Sequence, residues 1–91
     1  DWVNWALNSR ACRHEGWTFC QSWGIETTDE EAHVLGAFVM TVQASGDWTK
    51  ALSQFNLWAS THQSRRIKAL DPERGVYQLG GWPFTVKKVP R

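Results

Sequence analysis

Residues 28–46 constrain the fold of this chain more than any other stretch. Thr28 and Glu31 form a T-x-x-E capping box, in which the threonine oxygen and the glutamate carboxylate each satisfy an orphan amide at a helix start. Asp29, Glu30 and Glu31 fill the first turn, where the helix dipole favours anions. Val34, Leu35, Phe38, Val39 and Val42 then recur at three- and four-residue spacing, and Gly46 supplies a stop. The pattern predicts a helix over about 29–45. Its acidic start is accounted for by capping and needs no ligand.

The flanking elements follow from the same signals. Asp47 is placed to cap a second helix, along which Trp48, Ala51, Leu52, Phe55, Trp58 and Ala59 trace an apolar stripe. No Gly or Pro interrupts residues 48–70, so this helix is expected to continue through His62, Arg66 and Leu70, with Ser60-Thr61 as the place for any break. Upstream, residues 2–13 are expected to be a short helix with Trp2, Trp5 and Ala6 on one side. Residues 14–27 lack a clean period and contain Gly16 and Gly24, so they are expected to be a connection held to the core by Trp17, Phe19 and Trp23. Asp71-Pro72 ends the long helix, as a turn or as the cap of a short helix over 72–79. Against that short helix stands a hairpin over about 76–86, with Gly80-Gly81 as its turn and Pro83 confining its strand to an edge. The expected architecture is mainly α and a single domain over 1–91. Three helices (about 2–13, 29–45 and 48–70) surround a Trp-rich core, with a C-terminal β-hairpin.

A chain of 91 residues buries roughly 60–65% of its unfolded surface, enough for one core with little reserve. Seven tryptophans are unusual at this length, and each aromatic buries about 150–250 Å². Trp2, Trp5, Trp17, Trp23, Trp48 and Trp58 are therefore expected in the core, with Trp82 outside it. No apolar run approaches the ~18–20 residues of a membrane span, and a chain without signal peptide is the expectation. Two cysteines do not make a disulfide scaffold, so a cytoplasmic protein with reduced thiols is expected, while a Cys12–Cys20 bridge stays open.

Catalytic signatures are missing. His14-Glu15 lacks the second histidine of an H-E-x-x-H site, and no nucleophile elbow or phosphate-binding glycine loop occurs. A binding protein without cofactor is expected rather than an enzyme. Cys12, His14, Cys20 and His33 have the donor types of a tetrahedral zinc site. Their spacing is not that of familiar zinc sites, so separate thiols and surface imidazoles are the expectation.

Charge is what points to a partner. From Ser64 to Arg91 seven Lys/Arg face only Asp71 and Glu73, a balance of +5, whereas residues 1–63 carry −4. Arg65, Arg66 and Lys68 are expected on the end of the long helix, Arg74 beyond it, and Lys87 and Lys88 at the hairpin foot, with Trp82 between. A helix followed by a basic hairpin is how winged helix-turn-helix modules present a recognition helix and a wing. This surface would neutralise phosphates of DNA or of a nucleoprotein complex. The plain alternative is a dipole-favoured helix end and a solvated tail. The alternative function is a small protein-protein interaction module that inhibits or adapts a partner protein, with Trp82, Phe84 and an arginine of this chain as hot spots against an acidic surface of the partner. No membrane association is expected.

Taken in order, Trp2-x-x-Trp5-Ala6 with Arg10, the loop bearing Gly and Ser, Asp29-Glu30-Glu31-Ala32, Ala51-Leu52 and Arg65-Arg66-Ile67 resemble small phage late-gene antiterminators of the Q type. The resemblance spans about 70 residues in short pieces. It implies a regulatory protein with a helix-turn-helix that contacts DNA and the transcription machinery, and it transfers Arg65 and Arg66 as DNA contacts. The chain departs from the family where Gly75, Gly80 and Gly81 stand in place of a clean recognition helix.

Overall fold

A computed structural model describes residues 1–87. Four helices are followed by a small antiparallel sheet: α1 (Trp2–Asn8), α2 (Arg10–Trp23), α3 (Asp29–Ser45), α4 (Trp48–Thr61), β1 (Ile67–Asp71), β2 (Val76–Leu79) and β3 (Trp82–Thr85). The expected helix over 29–45 is present with its capping box. Thr28 Oγ1 accepts from the Glu31 amide, and Glu31 Oε1 accepts from the Thr28 amide. Gly46, in the left-handed region, closes it.

The N-terminal helix differs from expectation in two ways. It breaks at Ser9, whose extended backbone and side-chain bond to the Cys12 amide make it the cap of a new helix. Residues 14–23, expected as a connection, form the body of α2. Gly16 is not a breaker but a contact surface. A methyl group there would drive into the carbonyl of Ala32, and one on Gly36 would drive into the carbonyl of Cys12. Two glycines thus let α2 and α3 cross with their backbones touching. A mid-helix glycine costs about 1 kcal/mol relative to alanine, and here the close approach compensates.

The long helix expected over 48–70 stops at Thr61. No Gly or Pro marks the end, because the stop is tertiary. Asn56, inside α4, accepts from the Ile67 amide at 2.8 Å and donates to the Ile67 carbonyl at 2.9 Å, so Ile67 starts a strand beside the helix. The reversal places Gln63 at φ 52. Arg65 and Arg66 therefore lie in the connection and Lys68 in β1, not on a helix.

The sheet runs β1-β2-β3, antiparallel throughout, with a bulge between Ala69 and Asp71. The expected hairpin is β2–β3, Pro83 lies on an edge strand, and residues 72–75 form a turn rather than a helix. Ile67, Tyr77, Leu79 and Phe84 pack inward against the helices. Phe38 of α3 is the hub, edge-on to Tyr77 at 5.1 Å and to Phe55 and Phe84 at 6.2 Å.

The core is therefore built on phenylalanine and tyrosine, not on tryptophan. Of the seven indoles only Trp58 is buried; Trp2 and Trp48 are half-buried, while Trp5, Trp17, Trp23 and Trp82 are exposed. In so small a core the phenylalanines occupy the centre, and indoles fit better at the rim, where the ring packs and the N–H finds an acceptor. Trp2 Nε1 donates to Thr41 Oγ1 at 2.9 Å in this way. Among the described residues no helix is long and apolar enough to cross a membrane.

The helix crossing yields a stability prediction. Gly16→Ala or Gly36→Ala should lower unfolding free energy by about 3 kcal/mol or more, measured by urea denaturation. Gly81→Ala, where an added methyl meets nothing within 4 Å, should change it by less than about 0.5 kcal/mol.

Candidate functional site

The antiparallel register divides the basic residues between the two ends of the sheet. At one end the Gly80 amide donates to the Arg66 carbonyl at 3.0 Å, and Trp82 pairs with Leu79, so Arg66, the Gly80-Gly81 turn and Trp82 lie together. Lys68 follows on β1 opposite Gln78. At the other end Arg74 is ion-paired to Asp71 at 3.7 Å in the β1–β2 turn, beside Glu73. The Lys87 carbonyl accepts from Gln43 at 3.2 Å, and the preceding Val86 amide donates to Gly75 at that same turn. Lys88 lies outside the described residues.

Arg65 belongs to an internal network. Its Nη2 is 3.5 Å from Glu31 Oε1 and donates to the Glu26 carbonyl, while Ser64 Oγ donates to Glu31 Oε2. Its methylene stem lies over Gly80. The carboxylate that caps α3 thus also anchors the connection leading into β1. Burial pushes the Glu31 carboxyl up, but the Ser64 hydroxyl, the Thr28 amide and the Arg65 guanidinium outweigh it and hold it below the usual carboxylate value. Arg66 and Lys68 are exposed and have no ion-pair partner among the described residues. With Lys87 at the other end, also exposed and outside the ion pairs, they are the available cations of the C-terminal set among the described residues.

Trp82 joins this end of the sheet to α2. Its Nε1 donates to the Trp23 carbonyl at 3.0 Å, the last turn of the helix, and its ring lies beside Gly24, the left-handed cap of α2. Phe19 packs edge-on against Phe84 at 5.4 Å beneath this junction. Trp23 and Trp82, both exposed, therefore lie at the same end of the sheet as Arg66.

The four zinc-type donors are not brought together. Cys12 and Cys20 face α3, buried, whereas His14 is exposed and His33 Nδ1 lies 3.2 Å from the Ala6 carbonyl. Two residues along a helix rotate a side chain to the opposite face, which separates His14 from Cys12. Among the described residues no group of His, Cys, Asp and Glu has metal-site geometry. Burial pushes both thiols up, and both are free. Eight residues of helix set them about 12 Å apart along the axis, beyond disulfide reach.

Sequence reasoning missed a second basic group, the solvent face of α2. Arg10, Arg13, His14, Trp17 and Gln21 line one open depression there. Their i, i+3, i+4, i+7 and i+11 spacing was the available signal, obscured by the two glycines. It also missed a concavity of about 660 Å³ between the start of α3 and the end of α4, lined by Asp29, Glu30, Glu31, Trp58, His62 and Arg65 among others. Trp58 Nε1 is buried without a hydrogen-bond partner, and the His62 ring stacks on the Trp58 ring at 5.0 Å. Comparison with protein-family models, with curated proteins and with solved structures found no match.

The Glu31 network sets a pH dependence. A carboxylate held below its unfolded value contributes stability at neutral pH that is lost as pH falls from about 4.5 through the folded value. Glu31→Gln should destabilise the protein at pH 7 and should flatten the loss of stability between about pH 5 and 2, read from urea midpoints at each pH.

Proposed function

We propose that the protein is a small nucleic-acid-binding module, of the kind that regulates a transcription complex. Its contact surface is the hairpin-turn end of the C-terminal sheet. The observation that carries this reading is how the sheet's register sorts its charged and aromatic residues between its two ends. Two exposed cations, Arg66 and Lys68, and two exposed indoles occupy one end of the sheet, while Asp71 and Glu73 are confined to the other. Cations for phosphates and flat rings for bases are the two groups that nucleic acid needs from a protein. The resemblance to Q-type antiterminators points in the same direction. Of its two transferred positions Arg66 is available for contact, whereas Arg65 is tied to Glu31.

A protein partner is the second reading. Four exposed indoles, Trp5, Trp17, Trp23 and Trp82, favour it, because tryptophan is among the residue types enriched at interface hot spots.

Nucleic-acid titrations over a salt series test the first reading. Log affinity should fall linearly with log salt, and the double variant Arg66→Ala/Lys68→Ala should reduce that slope by about 1.5 units. No binding at ~50 mM salt, where phosphate contacts are strongest, would reject it in favour of a protein partner.

A further inference from the structure

We infer that the ligand is a single-stranded nucleic acid, held on one track that runs along the solvent face of α2 and ends at the β2–β3 turn. The inference rests on the nucleic-acid reading above and adds to it the strand form and a second set of contacts.

Each step of the track shares a residue with the next. Arg10, Arg13, His14, Trp17 and Gln21 line the first depression. Trp17 and Gln21 also line the second, together with Gly24 and Glu26. Gly24 lies beside Trp82, and the Glu26 carbonyl takes Arg65, whose neighbour Arg66 flanks the Gly80-Gly81 turn. Along α2 alone this path is about 21 Å. Cations stand at both ends, and Trp17 and Trp82, 41% and 44% exposed, stand between them. Arg10 and Arg13 have no ion-pair partner among the described residues. Glu26 is the one carboxylate lining the second depression, and it stands midway along the path.

The indoles select the strand form. An exposed ring at the middle of a basic face offers a base a stacking partner, which only an unpaired base can use. A duplex presents its stacked bases only edge-on, in grooves between two regularly wound phosphate strands. This surface instead turns from a helix flank onto a hairpin. Backbone cations interleaved with stacking rings are the arrangement that binds single strands with little sequence preference.

The test uses a labelled oligodeoxythymidylate of about twelve nucleotides, within the range of single-strand site sizes, and a duplex of equal length, each titrated by fluorescence anisotropy. The oligonucleotide should bind more tightly than the duplex. Trp17→Ala should weaken it about tenfold while Trp17→Phe retains most of the affinity. Arg10→Ala/Arg13→Ala should lower the salt slope by about 1.4 units. All three variants alter exposed side chains, and circular dichroism confirms their fold. Tighter duplex binding, or unchanged affinity in both Trp17→Ala and Arg10→Ala/Arg13→Ala, would overturn the inference while leaving a binding surface at Arg66 and Lys68 intact. Failure of both strand forms to bind at ~50 mM salt would overturn the inference together with the reading beneath it.

Discussion

The contact between Gly16 and Gly36 is the constraint on which the remainder of the structure depends. Because neither residue has a side chain, the carbonyls of Ala32 and Cys12 occupy space that a methyl group would need. This proximity fixes the rotation of α2 about its own axis. Cys12 and Cys20 must face α3, so Arg13, Trp17 and Gln21 must face solvent. It also fixes the end of α2, which brings Trp23 and Gly24 under Trp82 of β3. A local steric fact near the middle of two helices thus determines what the surface displays at both ends of one of them.

The charge division of the chain has a structural cause. Most acidic residues of the first 63 positions are committed to helix starts. Asp1 caps α1 and Asp47 caps α4. Glu31 closes the capping box of α3 and also holds Ser64 and Arg65, while Asp29 and Glu30 share its first turn. Anions at helix N-termini are stabilised by the dipole and by amide donors. Among the described residues the cations have no comparable internal duty, apart from Arg65 and the partly neutralised Arg74. Arg10, Arg13, Arg66 and Lys68 are consequently left on the surface, two of them in the half of the chain whose formal balance is negative.

The sequence made α3 legible because capping box, periodicity and stop glycine all agree there, and local signals that agree are seldom overridden. The β2–β3 hairpin was legible for the same reason, with Gly80-Gly81 between two short apolar runs. What misled was chemistry whose meaning is set at a distance. Gly16 resembles a helix breaker until Ala32 is known to lie against it. The end of α4 falls at Ser60-Thr61, the place given for any break, but what made the break certain is distant, the bonds between Asn56 and Ile67 across eleven residues. Of the six tryptophans expected in the core only Trp58 is there, and the other five lie at its rim or on the surface because Phe38, Phe55, Phe84 and Tyr77 already fill the centre. Of the candidate site, Arg66, Lys68 and Trp82 were legible from charge and neighbouring glycines. Arg10, Arg13 and Trp17 were not, since the helix that aligns them was expected to be a loop.

The claim that a single strand lies across α2 and the hairpin is tested most directly by the indole N–H signals of the seven tryptophans in a nitrogen–proton correlation spectrum. Upon titration with the oligonucleotide, the Trp17 and Trp82 signals should move together and saturate at one stoichiometry. That of Trp58, buried at 4% exposure, should stay in place. Movement confined to Trp2, Trp48 or Trp58, with Trp17 and Trp82 unchanged, would contradict the account.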